Sequence, residues 1–589
     1  MKAAGVYYYL SDNSFRAMGS TSLELIVPML TVKGSLTELN RVTALDYDQI
    51  IGYDVAYNGN YLGLKKLVDS VAYVNVMRIN AGAVVANIYD DDSGLTTYDK
   101  LEVGQSLEET AKTFWFNLRF AGHDTDHYVS CVMREQEQVC AIPVKDPADN
   151  NKWKVTFGTP IKLTPQVVDL GTAKVSALVC TGVDKTPIFC VVGSEIKTVD
   201  SDPTTGYSVG GDVVGTATET GLEFDDASNS ITKFTGTDFT LKYLASDTEF
   251  TIKHSTSADG VMFSLVGEYP VSLDPDSPVY FSKVDMGELE FGVVEGQTPN
   301  FALIEEYTLL QSGSNGHAPT AGEIDFTAFD KSLANVCVMN GINDLAVINA
   351  FALHAEQKLK YLFAGAPPLP TYDAVADWAK NLYSTEYMSL HWVSSIEDTP
   401  AGPVYVCPSV NCGIIMANMI SSFGTLNYPP AGYTYGNIVV SRLMETNAEL
   451  FADQLKENKI NWQRNGPKGP VMWEQRTRYA RESALSSINA IFVLREMRER
   501  LIEFASGFNF RILAASDLLV FDKGLRAILD SIRAEGFITE YDLYVPTFLE
   551  QQASADPTTL VVRIQVAVTA VTEVIEFQVS LQNTGTVGA

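Results

Sequence analysis

The sequence predicts an α/β (α+β) core assembled from N- and C-terminal segments, interrupted by an inserted all-β region of one or two domains. Two contrasts predict it. Helical periodicity and apolar strand runs occur before about residue 85 and after about 306. The stretch between them is rich in Gly, Thr, Ser, Asp and Val, with short strands between turn signals and few helical repeats. The length of 589 residues also suits several cores without disulfide or metal staples.

In chain order, an extended arm is expected over 1–20, where "AAGVYYYL" presents Val6, Tyr7, Tyr8 and Leu10. The N-terminal part of the core follows over 21–85, with a helix over 62–70 and a strand, "VAYVNVMRI", over 71–79. Two β-rich domains are expected over 86–200 and 201–305, with strands such as "WKVTFG", "FTLKYLA" and "EFTIKH" and a junction near "VDSDPTTGYSVGGD". The C-terminal part of the core, 306–555, carries helical patterns at "DLAVINAFALHAEQKLKYLF" and "ESALSSINAIFVLREMRERLIEFASG". In the second of these Leu485, Ile488, Phe492, Met497, Leu501 and Phe504 approximate one face, and Gly507 stands at the C-cap position. The last segment, 556–589, alternates Leu560, Val562, Ile564, Val566 and Val568, then Ile575, Phe577, Val579 and Leu581, against polar or small neighbours, which is the period of two strands.

The 42 basic and 72 acidic residues give a net charge of -30, which repels nucleic acid and keeps a protein soluble at high copy number. The seven cysteines are odd in number and scattered, and "MKAAGVYYYLSDNSF" has no apolar h-region, so synthesis in a reducing cytoplasm is expected. No window approaches the ~20 apolar residues of a membrane helix.

Candidate chemistry is sparse. "HDTDH" sets His123 and His127 at i,i+4 around Asp124 and Asp126, all metal-ligand types, but the flanks place them in a solvated turn between strands. "DDDSG" (Asp90, Asp91, Asp92, Gly94) resembles a calcium loop with its glycine one place early and Leu101 where the bidentate Glu belongs. Cys407 and Cys412 in "CPSVNC" lack a second ligand pair, and "GSNG" at 313–316 lacks a phosphate-loop Lys. No G-x-S-x-G elbow occurs, and none of the six histidines adjoins a nucleophile motif. An enzyme, a cofactor and a resident metal are therefore not expected.

From residue 306 onward, motifs follow in an order that resembles the sheath protein of contractile bacteriophage tails. They are "LLQSGSNGHAPT", "DFTAFDKSLANVCVMNGINDLAVINAFALHAEQKLKYLFAGAPP", "VYVCPSVNCGIIMANM", "GTLNYPPAGYTYGNI", "LKENKINWQRNGPKGPVMWEQRT" and "IRAEGFITEYDLYV"; at the front, "AAGVYYYL" and "YLGLKKLVDSVAYVNVMRI" are similar to the family's opening. Three positions depart from its pattern: Ala4 replaces a proline, and Lys459 and Glu474 replace glycines of turns. The resemblance covers about 1–85 and 306–589, and the β-rich middle matches no named fold.

The resemblance implies a homo-oligomer of stacked hexameric rings around a tail tube, with baseplate and tail terminator proteins as further partners. It would be made in the host cytoplasm, reside in the virion tail, and contract to drive the tube through the host envelope. It also implies inter-subunit arms at Val6, Tyr7, Tyr8 and Leu10 and at the two C-terminal strands, joined to neighbours by main-chain hydrogen bonds. Along "FDKGLRAILDSIRAEG", Lys523, Arg526 and Arg533 share one helical face, and the resemblance makes them the tube contacts. Two other roles stay open at this level: an adhesin binding host glycan or receptor through the β-rich middle, and the sheath of a related injection system.

Overall fold

A computed structural model describes residues 23–572 apart from 103–104, 123–124, 134, 164–169, 171–174, 182–183, 203–205, 226–229, 235–237, 245–247, 300, 306, 401, 512–513 and 557. The chain forms two compact units, one from Met1–Ala83, Phe120–Asp124 and Ser314–Ala589, the other from Val84–Arg119 and Thr125–Gly313.

The first unit is organised by an eight-stranded sheet in the order Asn40–Val42, Val74–Arg78, Leu25–Met29, Val336–Val338, Tyr361–Gly365, Met388–Trp392, Ile460–Gly466, Gly469–Trp473. The six inner strands are parallel and both outermost pairings are antiparallel. Parallel neighbours require crossovers, and here these carry the helices Asn58–Val68, Leu345–Lys358, Tyr372–Ala379 and Pro408–Phe423. Four strands, Leu25–Met29, Val336–Val338, Tyr361–Gly365 and Met388–Trp392, are buried along their whole length, as a sheet covered on both faces requires.

Local signals set the helix ends. Asp344 caps Leu345–Lys358 by accepting from the Val347 amide, Thr371 caps Tyr372–Ala379, and Pro408 opens Pro408–Phe423 where a missing N–H costs nothing. The helix expected over 62–70 is Asn58–Val68, displaced toward the N-terminus after a short 3-10 turn, Val55–Tyr57, that Asp54 caps. The strand expected over 71–79 is Val74–Arg78. Lys459 and Glu474 have φ of +54° and +78°, left-handed conformations that favour glycine, here adopted with a side chain in place. Lys459 then reaches Glu482 at 2.9 Å.

A satellite core lies beside the sheet. The helix Ile488–Ser506 buries Ile488, Ile491 and Phe492 in the main core and Val493, Met497 and Leu501 in a second cluster with Phe521, Leu525 and Leu529 of the helix Ala515–Ala534. One helix thereby belongs to both cores.

The second unit has no α-helix among its described residues, in keeping with the all-β expectation. Nine strands between Glu135–Ala141 and Asp238–Leu244 form one sheet whose two edges, Glu135–Ala141 and Val144–Lys145, are separated in the chain only by Ile142 and Pro143, so the sheet curls back toward itself. Phe189, Phe224 and Phe239 fill its interior. The junction expected near residue 200 falls inside this sheet, where Glu195–Asp202 pairs antiparallel with Gly206–Thr218; its turn-rich composition belongs to a hairpin. Two four-stranded sheets complete the unit, their facing sides joined through Phe250, Phe291 and Phe301.

The chain passes between the units four times, because 120–122, at the end of the strand Phe114–Ala121, belong to the first unit. Lys33 Nζ lies 4.7 Å from the Phe120 ring centre, and Arg78 donates to the carbonyls of Gly34 and Ala121. Gly122 is required there: at φ +141°, a Cβ would lie 2.1 Å from the Val32 carbonyl oxygen. Burial pushes the Arg78 guanidinium down to about 10.

Two outcomes follow from the main sheet. Trp392 and Trp462 are register partners, 1% and 2% exposed; Trp462→Ala should cost about 3–5 kcal/mol in urea unfolding. His391, buried with its Nε2 2.9 Å from Ser389 Oγ, is pushed by burial from 6.5 down to about 3. In that window the unfolded chain binds a proton that the folded chain does not, so this contribution is lost as pH falls from 6.5 toward 3. The slope of unfolding free energy against pH over that window should be shallower in His391→Gln, by up to about 1.4 kcal/mol per pH unit.

Candidate assembly surfaces

The C-terminal segment forms a ribbon. Arg563–Val568 pairs antiparallel with Ile538–Tyr544 of the same chain, and among the described residues these two strands make a sheet of their own, each with one edge that no other described strand pairs. The alternation read from the sequence sets its faces: Leu560, Val562, Ile564, Val566 and Val568 all pack on the satellite core, half-buried, while Arg563 and Gln565 are exposed. The strand itself is shorter than the 560–568 run. Ile575, Phe577, Val579 and Leu581, like Val6, Tyr7, Tyr8 and Leu10, lie outside the described residues.

The helix Ala515–Ala534 buries Leu518, Phe521, Leu525, Leu529 and Ile532 and leaves Lys523, Arg526 and Arg533 exposed. The three cations are not equivalent. Arg526 Nε pairs with Asp522 at 3.0 Å and its Nη2 donates to the Leu543 carbonyl at 3.0 Å, tying the helix to the ribbon. Arg533 pairs with Asp530 at 2.7 Å and lies over the Tyr541 ring, whose hydroxyl donates to Asp530. The carboxylate beside Arg526 holds its guanidinium above the ordinary range. Among the described residues Lys523 has no such pairing, so of these three cations it is the one left uncompensated.

The apolar end of the same helical pair is absent from the sequence reading. Phe510, at φ +60° before the helix, is 88% exposed, and Leu519 and Val520 are 56% and 58% exposed. The signal was the run "LLVF", in which Leu518 and Phe521 take the buried stripe and the two residues between them cannot.

The other sequence candidates resolve into structure. His127 is buried, not solvated: it lies in the strand Asp126–Met133, its ring stacked on His254 with Nδ1 2.8 Å from Nε2 of that residue. His123 and Asp124 lie outside the described residues. Asp90, 2% exposed, accepts from the amides of Thr113 and Phe114, and Asp91 closes the hairpin turn through Ser93 and Gly94, so "DDDSG" is a backbone-satisfying turn. Cys407 is the N-cap residue of Pro408–Phe423, burial pushes the Cys412 thiol up, and none of the seven cysteines forms a disulfide. In "GSNG", Asn315 bonds Asp54, and Gly316 packs where a Cβ would lie 2.2 Å from the Ala81 carbonyl oxygen. Among the described residues no cluster of three metal-ligating side chains occurs, and no helix is long and apolar enough to cross a membrane.

Because the satellite core is distinct from the main one, damage to it should stay local. Leu529→Ala should cost about 3 kcal/mol and speed amide exchange across 515–568 while Tyr361–Gly365 stays protected.

No family model and no curated protein matches the chain. Among solved structures it is similar to a sheath tail protein of Desulfitobacterium hafniense, at 10% identity and a TM-score of 0.46, covering 92% of this chain and 93% of that one. It is similar also to a sheath tail protein of Listeria innocua, at 10% identity and a TM-score of 0.40, covering 94% and 96%. A chain of the anti-feeding prophage baseplate matches at 14% identity and a TM-score of 0.37, covering 43% of this chain and 71% of its own. These structural neighbours are thus two sheath tail proteins and a chain of a prophage baseplate.

Proposed function

We propose that the chain is the polymerising sheath subunit of a contractile tail. Copies stack as hexameric rings around a tail tube and contract to drive it through a host envelope, with the free energy held as a difference between two sets of subunit contacts and no nucleotide involved. The baseplate and tail terminator are the partners at the ends of the polymer, and the assembled sheath is a virion component made in the host cytoplasm.

The observation that carries this reading is the C-terminal ribbon. A two-stranded sheet whose outer edges carry no partner strand among the described residues, with one face half-buried, is marginal alone and gains most from an added strand. A further alternating apolar run, Ile575 to Leu581, follows it in the sequence. In the proposal that run, or Val6 to Leu10, crosses to the edge of a neighbour's ribbon, where backbone hydrogen bonds supply affinity and alternate apolar side chains supply register. The net charge of -30 limits non-specific association while this directed pairing proceeds.

Negative-stain microscopy of the purified chain should show long striated hollow tubes. A chain ending at Thr572 keeps the ribbon and lacks the following run; it should stay folded by circular dichroism and fail to form tubes. Tubes of normal length from that shortened chain would refute the arm role. For the tube contact, Lys523→Glu should weaken sheath assembly around tubes more than Arg526→Glu or Arg533→Glu, since the latter two cations are already compensated. Assembly of the triple variant at every salt concentration would refute the contact.

A further inference from the structure

The second unit holds a cavity of about 370 Å³. Its floor is the outer face of the four-stranded sheet. Ser130 on Asp126–Met133 is the register partner of Lys253 on Glu249–Ser257, and Ser255 is the partner of both Tyr128 and Leu265. Cross-strand partners share a face, so both serines point to the same side as the cavity they line.

Its wall is aromatic. Phe263 meets the Tyr128 ring edge-on, and Tyr307 stacks on Phe263 with ring centres 3.8 Å apart and planes at 14°. Tyr307 sits at φ +62°, a conformation that costs a bulky residue on the order of 1–2 kcal/mol. The turn is closed by Thr308, whose hydroxyl accepts from the Glu305 amide at 2.8 Å and donates to the Glu305 carbonyl at 3.0 Å. A tyrosine is thus held in a glycine-like conformation with its ring 39% exposed beside the cavity.

The polar groups decide the ligand class. Ser130 and Ser255 are 8% and 6% exposed, and their hydroxyl oxygens stay open to the cavity with no protein hydrogen-bond partner among the described residues. A hydroxyl that faces the cavity without a protein partner can exchange hydrogen bonds with an occupant, which favours one that brings hydroxyls of its own over a wholly apolar one. Lys253 is paired with Glu268 at 3.2 Å, and Glu305 lines the rim, so no surplus positive charge is available to select phosphate or sulfate. A neutral ring with an apolar C–H face for the tyrosine and hydroxyls around its edge meets all of these conditions.

We propose that this trough is a carbohydrate subsite, taking one pyranose ring on Tyr307 with its hydroxyls on Ser130 and Ser255. The site is independent of the sheath reading, since it lies wholly in the second unit.

Saturation-transfer NMR on the full chain, with glucose, galactose, rhamnose and N-acetylglucosamine each as the probe, tests it. At least one sugar should show transfer concentrated on its ring C–H protons, with a dissociation constant on the order of 1 mM. Tyr307→Gly suits the left-handed backbone and removes the platform; it should keep the fold by circular dichroism and weaken that sugar roughly tenfold or more. Ser255→Ala should weaken it too, while Val139→Ala, on the other sheet, should leave it unchanged. No transfer to any of the four sugars, or transfer unaltered in Tyr307→Gly, would overturn the assignment.

Discussion

The first unit depends on one pairing: Leu25–Met29 lying parallel between Val74–Arg78 and Val336–Val338. Residues on either side of a long insertion supply adjacent central strands, so neither terminal segment can bury its apolar faces without the other. Closing so long a loop costs little more than closing a moderate one, because the entropy grows only with the logarithm of length. The return is a strand sealed on both faces, with Leu25, Ile26 and Val27 fully buried. Asn340 extends the junction, its amide donating to Pro28 and its side chain to the Asn60 carbonyl.

From that sheet, order is passed outward by the helix Ile488–Ser506. Its first turns are locked in the main core, so its later turns present Val493, Met497 and Leu501 at a fixed pitch to the second helix and the ribbon. Polar contacts reinforce the strut: Glu496 takes bonds from Thr425, Asn427 and Arg500, and Arg500 continues to Glu535 at the end of the second helix. A surface pair would be worth little, but a shared network with half-buried members adds a polar tie between the two cores.

Much of this was legible in the sequence, and the exceptions have physical causes. The helices Leu345–Lys358 and Ile488–Ser506 and the alternation of Leu560 to Val568 were readable because each buries one face at a regular period. Leu25–Met29 was not, since Pro28 argues against a central strand and a strand buried on both faces shows no alternation. The buried place of His127 was hidden because its partner, His254, lies on a strand distant in sequence. The pairing of Arg526 with Asp522 and of Arg533 with Asp530 follows helical spacing of four and three residues. Tyr307 gave no signal, as a left-handed tyrosine looks in sequence like any other.

The loop at 120–122 bears on how such a chain can be recombined. Arg78, 2% exposed, has carbonyls as its main partners, and one of them belongs to Ala121. A graft that replaced everything between Ala83 and Ser314 would therefore delete part of the core along with the insertion, leaving a buried guanidinium short of an acceptor and Val32 beside an emptied site. The inserted module can be exchanged in this architecture only if the incoming module also returns a chain segment with a glycine at the position of Gly122. That requirement would restrict shuffling to donors sharing the same stitch, while point changes elsewhere on the β-rich surface remain free to accumulate.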